Sequence, residues 1–587
     1  MQTEILKKVQ AWVDDPNIDA KAKAEIHELL EKKNHKELTE RFYKDLDFGT
    51  AGLRSIMGMG INRINQYTVR KATQAMVNVL KNEYSDPKMH KICVCYDSRN
   101  NSEYFAHEVC SVLAANNVTA ILFRELNPVP LLSYSVRYYQ AGAGIMITAS
   151  HNPIEYNGFK AYWSDGAQIT PPVDKDIIAA YNNITNWNEI KWIDFESALK
   201  KKTIQYVEKE MFDSYYAVIQ KSLIHPELCK KQGENVRIVY SPIHGTGLKP
   251  CQTLAELVGF KNFFVVEEQA KPNGNFPTVK SPNPEYPAAL AMAVQLMLDK
   301  KADLAMGTDP DTDRLGVAVK HQGEVIFLTG NQIASLFVYY QMSEKAKLKK
   351  IKKNSLVLKS VVTSTLQDEI VEHFGGKMED TLTGFKWMAK KLKDREDANI
   401  DYDFIFASEE SYGFMGHNEV RDKDAVCAVI QMTEMALFFK EKKMTLINAL
   451  EEIYEKFGYH HDTVLSLDFL GIEGEQKIGR IMNKLRAYDK TQMVGQTITK
   501  FKDYQSCEEL DWRNKTKKKF EFTKSNLVCI EFASGSKFYA RPSGTEPKIK
   551  FYFMIKTVNG NLQERKSQAM ELEDQLNTFI KKFADEA

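Results

Sequence analysis

Residues Ala143–Lys160 read AGIMITASHNPIEYNGFK. Ile145-Met146-Ile147 is a continuous apolar run of the kind that forms a buried strand. The run breaks at Thr148-Ala149-Ser150-His151-Asn152-Pro153, where small, polar and turn-forming residues take over. Pro153 stops ladder pairing, and Asn157-Gly158 marks a second turn. A serine hydroxyl beside an imidazole therefore stands where a strand gives way to a loop, with Lys160 ten residues further on. In open α/β sheets this strand end is where ligands bind. A polar loop after a strand is also the ordinary state of many Ser-His pairs, so its meaning depends on the other loops of the chain.

Those loops recur in a common pattern. Before the opening stretch, Ile92–Tyr96 reads as a strand ending in Asp97-Ser98-Arg99. Ser102 stands where a cap would begin a helix carrying Phe105, Val109 and Leu113 on one face, and Ala120–Phe123 is the next strand. Strand, helix, strand predicts parallel pairing with right-handed crossovers. After about residue 205 the grammar restarts: Val236–Tyr240 leads into SPIHGTG, a helix spans about 250–258, and Phe264–Val266 is a strand. A Pro- and Asn-rich loop, PNGNFPTVKSPNPE (Pro272–Glu285), precedes the strand Leu304–Met306, which ends in GTDPDTDR (Gly307–Arg314). Beyond 325 it recurs with a helix after Asn331, the strand Leu356–Leu358, TGFKW at Thr383–Trp387, and Phe404–Phe406 running into SEESYG. From about 456 the strands alternate (464–469, 527–532, 549–555), a Lys-rich segment intervenes near 514–524, and a final helix shows Leu572, Leu576, Phe579, Ile580 and Phe583 on one face. The expectation is a helical arm (1–45), three similar α/β domains with mixed sheets (46–205, 206–325, 326–455) and a C-terminal α+β domain (456–587).

Composition narrows the partners. With 79 Lys and Arg against 78 Asp and Glu in 587 residues, no global charge exists to hold nucleic acid or an anionic membrane. The eight cysteines are scattered without zinc spacing, as expected of reduced thiols in the cytoplasm. Met1–Ala20 carries Glu4, Asp14 and Asp15 and no signal-peptide core; Ile5, Val9, Trp12 and Val13 fit one helix face. No apolar run is long enough to span a bilayer.

Several strings carry chemistry. Asp309, Asp311 and Asp313 put three carboxylates in five residues, and such charges repel unless a cation or solvent neutralises them. Hard oxygen donors suit Mg²⁺, Mn²⁺ or Ca²⁺. An EF-hand is excluded because its sixth and twelfth positions would be Arg314 and Lys320. RPSGTEPKIK (Arg541–Lys550) gathers a guanidinium, two hydroxyls and backbone N–H groups suited to a tetrahedral dianion. FGTAGLRSIMGMG (Phe48–Gly60) is a candidate phosphate cradle of exposed N–H groups around Arg54. SEESYG offers carboxylates and a hydroxyl for vicinal sugar hydroxyls, and Lys423 of Asp422-Lys423-Asp424 is placed to join them. His244 reads as structural; His151 gains interest only from Ser150.

In order, TASHNP, GTDPDTDR, TGFKW, EESYG and RPSGTEPKIK resemble the α-D-phosphohexomutase family, over nearly the whole chain after about residue 40. FGTAGLR and the PNGNFPTVKSPNPE loop resemble the phosphoglucomutase branch that includes phosphopentomutase relatives. The resemblance implies four domains around a central cleft, and a phosphoserine at Ser150 that shares one Mg²⁺ with Asp309, Asp311 and Asp313. It implies that Arg54, His151, Lys160 and Arg314 surround the transferring phosphoryl group. Glu409 and Ser411 would bind sugar hydroxyls near Thr383, Gly384 and Lys423; Arg541, Ser543, Gly544, Thr545 and Lys550 would grip the other phosphate. The implied reaction interconverts glucose 1-phosphate and glucose 6-phosphate through glucose 1,6-bisphosphate, with Lys160 or His151 as proton acceptor. Mannose or pentose phosphates are rival substrates. A metal-dependent phosphatase and a non-catalytic sugar-phosphate sensor are rival functions.

Overall fold

The computed structural model describes residues 3–49, 52–469, 471–543 and 548–587. The apolar run becomes the fully buried strand Ala143–Ile147, and the chain returns antiparallel as Tyr156–Trp163, with Met146 opposite Lys160. This register brings Lys160 back level with the strand and leaves residues 148–155 as the connecting loop. The first sheet runs Gly52–Ile56, Tyr156–Trp163, Ala143–Ile147, Lys91–Tyr96, Thr119–Leu122, Ile204–Tyr206. Lys91–Tyr96 pairs in parallel with both its neighbours, as the strand–helix–strand pattern predicts. Helices Ser102–Ala115 and Val129–Tyr138 both pack on it, and the first closes a core that includes Val94, Val109, Leu113, Ile145 and Phe159. Ser102 is not the cap: Asn101, at φ 64°, precedes the helix, and Ser102 is its first residue. Its hydroxyl donates to Asp97 Oδ1 (2.7 Å) instead, because Asp97 is buried beside it and needs donors.

The second sheet is also mixed, in the order Glu324–Leu328, Leu315–His321, Leu304–Thr308, Arg237–Ser241, Asn262–Val265; its first two pairings are antiparallel and its last two parallel. In the third, Ser355–Ser360 pairs in parallel with Lys377–Thr381 and Asp403–Glu409. The last sheet is antiparallel and includes Tyr459–Asp468, Lys548–Thr557, Lys537–Pro542, Val528–Phe532 and Gln496–Asp503. Helix Leu562–Asp585 packs on its first two strands, the predicted α+β arrangement. The Lys-rich segment is more than a connection. Thr516–Lys519 is an exposed edge strand whose Lys519 and Lys518 lie opposite Glu508 and Glu509, and charge on an edge discourages further strand pairing.

The chain forms two compact units: Met1–Leu328 with Phe385–Asp401 and Ser411–Glu441, and Thr329–Gly384 with Tyr402–Glu410 and Lys442–Ala587. The third α/β segment is thus shared. Its helix Ala425–Glu441, apolar nearly all round, is buried in the first unit against Leu248–Val258. In the second unit Val361 and Val362 join Tyr504, Leu527, Tyr539, Tyr552 and Met554 in one cluster.

Gly158 fixes how closely three strands approach. A Cβ there would lie 2.5 Å from the Thr148 carbonyl oxygen and 2.7 Å from that of Leu53. Gly158→Ala should therefore cost roughly 1–3 kcal/mol in urea denaturation; no loss would mean that the loop relaxes around the methyl group.

Candidate active site

The serine loop begins where the strand Ala143–Ile147 ends. Ser150 sits at φ 52°, a left-handed conformation that costs a non-glycine residue about 1 kcal/mol or more. Three groups hold it there. Thr148 Oγ1 accepts from the Ser150 N–H (2.8 Å) and donates to Asp97 Oδ2 (2.6 Å). Arg99 binds the loop carbonyls from beneath. Ser150 Oγ donates to Asp309 Oδ2 (2.7 Å), and His151 Nδ1 lies 3.2 Å from Ser150 Oγ. With the hydroxyl hydrogen given to Asp309, His151 Nδ1 is the donor of that second contact.

The aspartate loop follows the strand Leu304–Thr308 and is tied from both sheets. Val129 N donates to Asp311 O (2.9 Å), and Thr246 N and Oγ1 both donate to Pro310 O (2.9 Å). Asp309 Oδ1 accepts the backbone N–H groups of Asp313 and Arg314 (3.0 Å each). All three aspartates are buried, and one oxygen from each lies within 4.8 Å of the others. Burial, with Asp313 and Asp311 adding to it, pushes the Asp309 carboxyl well above its ordinary range. Asp313 goes the other way: burial opposes its charge, but Lys423, Lys160 and Arg314 outweigh burial and hold it below the usual range. Asp311 Oδ1 and Asp313 Oδ1 are buried without a hydrogen-bond donor. Buried acceptors of this kind are costly unless something fills their lone pairs, and a divalent cation bound by hard oxygens fits them.

Cations converge on these carboxylates from separate parts of the first unit. Lys160 Nζ donates to Asp311 Oδ2 (2.7 Å) and Asp313 Oδ2 (3.2 Å). Burial works against its charge, yet the two aspartates more than offset burial and raise its pKa. Lys423 Nζ is 3.3 Å from Asp313 Oδ2, and the neighbouring Asp422 accepts from Tyr162 Oη (2.7 Å). Arg314 pairs with Glu285, and Arg54 Nη1 donates to Asn152 Oδ1 (3.0 Å). Burial, then the charges of Arg314 and Arg54, keep His151 neutral well below an ordinary imidazole pKa. Ser411 is near this group through the backbone: Leu315 N donates to Tyr412 O (3.1 Å), and Arg314 bridges Gly413.

Among the described residues of the Gly-rich string around Arg54, four backbone N–H groups have backbone partners. Gly49 and Gly52 bond each other, Met57 N donates to Glu155 O and Gly58 N to Ile64 O, because Gly52–Ile56 is a paired strand. Its contribution is the Arg54 cation. Thr50 and Ala51 lie outside the described residues. His244 is structural, held between Lys271 O (3.2 Å) and Thr278 Oγ1 (2.9 Å).

The remaining expected residues are in the second unit. Gly384, at φ 114°, turns its N–H onto Glu409 Oε1, and Thr383 precedes it in the same turn. Arg541 and Lys550 are cross-strand partners. Ser543 N donates to Lys548 O (2.8 Å), and Gly544 and Thr545 lie outside the described residues. Glu410 accepts from Ser360 Oγ (3.0 Å) and Thr363 Oγ1 (3.3 Å). Burial and then the adjacent Glu409 push its pKa up to about 7, against the charge of Lys550. The glutamate loop and the basic hairpin therefore adjoin within this unit.

Asp97, Thr148, Arg99, Glu285, Asp422 and Glu410 went unassigned in the sequence reading. Asp97 and Arg99 carried a usable signal, since they follow a strand as Ser150 does. Glu285 and Asp422 act through partners far away in the chain, which no local pattern reveals.

A strand-end serine bonded to one of three buried carboxylates, on a framework of repeated α/β sheets, is a phosphoryl-transfer arrangement. The chain belongs to the phosphoglucomutase/phosphomannomutase family: residues 45–188, 213–323 and 329–457 match its alpha/beta/alpha domains I, II and III. Phosphoglucomutase from Staphylococcus aureus is 34% identical over 567 residues, spanning 96% of this chain and 98% of the relative. Solved structures share the fold as well. The open form of the exocytosis-sensitive phosphoprotein pp63/parafusin, a phosphoglucomutase from Paramecium, has a TM-score of 0.68 at 19% identity, covering 92% of this chain and 96% of that one. A phosphoglucomutase/phosphomannomutase family protein from Burkholderia thailandensis has a TM-score of 0.62 at 16% identity, covering 91% and 97%.

A divalent cation at about a hundred times its Kd should stabilise the protein by roughly 2.7 kcal/mol. Thermal denaturation with and without chelator measures this. Asp311→Asn and Asp313→Asn should lose most of the gain; an undiminished gain in both would place the ion elsewhere.

Proposed function

We propose that this chain is a phosphosugar mutase that interconverts α-D-glucose 1-phosphate and glucose 6-phosphate, with Ser150 carrying the phosphoryl group and glucose 1,6-bisphosphate as intermediate and activator. The observation that carries this reading is the 2.7 Å bond from Ser150 Oγ to Asp309, inside a cluster of three buried carboxylates and their cations. The full-length likeness to phosphoglucomutases supports it. One Mg²⁺ held by Asp309, Asp311, Asp313 and the Ser150 phosphate would disperse the charge that otherwise repels a nucleophile.

The chain's own residues do the rest. The Thr148 and Arg99 contacts fix where Ser150 Oγ stands. Arg54, Arg314 and Lys160 surround it with positive charge suited to a phosphoryl group in transfer. Of the two candidate proton acceptors, His151 is the neutral one, with Nε2 left to accept while Nδ1 donates to the serine oxygen (3.2 Å), whereas Lys160 Nζ is engaged by two aspartates. Glu409 and Ser411, with Thr383, Gly384 and Lys423, take sugar hydroxyls. Arg541, Ser543 and Lys550, with Gly544 and Thr545, grip the phosphate that is not being transferred. The bisphosphate must turn end for end, so that grip has to accept either end of the sugar.

This activity is assigned to a helical arm and four domains, with boundaries near residues 45, 205, 325 and 455, and to the cytoplasm. Among the described residues no helix is long and apolar enough to cross a membrane, and all eight cysteines are free.

With Mg²⁺ and glucose 1,6-bisphosphate, turnover on glucose 1-phosphate should exceed that on mannose 1-phosphate and ribose 1-phosphate. The reverse order would make the chain a phosphomannomutase or phosphopentomutase, and rapid release of inorganic phosphate would make it a phosphatase. Ser150→Ala should abolish turnover while leaving the fold intact, and normal rates in that variant would remove the serine from the mechanism. Arg541→Ala should raise KM for glucose 1-phosphate by about tenfold or more, the loss of one charge-assisted phosphate contact of roughly 1.5–3 kcal/mol.

A further inference from the structure

We propose that Arg99 is a positioning residue for the mutase reaction, holding the serine loop in its strained conformation whether or not Ser150 carries phosphate. The proposal rests on the phosphoserine reading above. Arg99 is buried, and its guanidinium makes five hydrogen bonds to four carbonyls, three in the serine loop and one at the start of the return strand. Nε and Nη2 both donate to Ser150 O (3.2 and 2.6 Å), Nη2 also to Asn152 O, and Nη1 to Pro153 O (2.9 Å) and Tyr156 O (3.0 Å). That uses every donor direction an arginine has. No loop side chain takes part, so the grip does not depend on what is attached to Ser150 Oγ.

The clamp is itself fixed on two sides. Asp97 Oδ1 accepts the Arg99 N–H (2.9 Å), and Asp97 Oδ2 lies 3.6 Å from Arg99 Nε. The other Asp97 partners, Thr148 and Ser102, bind the aspartate to the serine strand and to the first turn of a helix. On the far side the Arg99 guanidinium lies over the Phe276 ring, 5.2 Å from its centroid, and Phe276 is buried in the Pro272–Glu285 loop of the second α/β segment. That loop also bonds Asn100 through Asn275 Oδ1 (2.9 Å). It thus supports the serine loop through Arg99, while its last residue, Glu285, pairs with Arg314.

A loop that must deliver Ser150 Oγ to the same point before and after transfer gains from such a clamp, because a misplacement near 1 Å costs about 100-fold in rate. A lysine keeps the charge and loses the fork. Full-length protein treated with glucose 1,6-bisphosphate supplies the test, with kcat, KM for glucose 1-phosphate, thermal midpoint and Ser150 phosphate (by intact mass) measured together. Folded Arg99→Lys should lose about 100-fold in kcat with KM within about threefold, and its phosphoserine should release inorganic phosphate faster than wild type. A folded variant with kcat within about threefold of wild type, or with its loss confined to KM, overturns the proposal. If Arg99→Lys does not fold, Phe276→Leu decides. A kcat lowered by about three- to tenfold at unchanged KM supports the clamp, and an unchanged kcat rejects it. Wild type that never carries phosphate on Ser150 defeats the mutase reading itself; phosphorylated wild type beside a normal Arg99→Lys defeats only the clamp.

Discussion

Three buried carboxylates in one loop cannot stay charged without cations, and much of the first unit is arranged to supply them. Asp309, Asp311 and Asp313 are buried with two acceptor oxygens left open. Lys160 arrives on the return strand of the serine hairpin and Lys423 on the segment before a buried helix. An ion pair in such a place adds little net stability, but removing one partner leaves a charge stranded, at about 3–5 kcal/mol. The two open oxygens are what remains, beside those cations, for a further positive charge.

The serine answers to that loop. Its hydroxyl is bonded to Asp309, and its backbone is held in a left-handed conformation by Thr148 and Arg99. Phosphoryl transfer gives a protein little covalent work, so placement and electrostatics carry most of the rate. The strain at Ser150 is stored where it serves placement, and Asp97 and Arg99 underneath sustain it.

In the second unit the glutamate loop at Glu409 and Glu410 adjoins the hairpin carrying Arg541 and Lys550, and the cluster around Val361, Tyr504 and Tyr552 packs the two parts together. Carboxylates and cations are thus held on one packed body.

The sequence by itself determined the strands, the serine loop, the aspartate triplet and the family resemblance, because each is written in a short local run: apolar strand, turn residues, charged loop. It also gave the C-terminal α+β domain from alternation and one amphipathic helix. It misplaced the Ser102 cap, since that depends on which long-range partner claims a polar group: Asp97 takes the hydroxyl. Only the tertiary structure decided that Lys160 pairs with Asp311 and Asp313, that Arg99 clasps the serine carbonyls, and that the third α/β segment is shared between two compact units. Those outcomes come from burial, which compels distant charged and polar groups to satisfy one another, and no local window of sequence records which of them will meet.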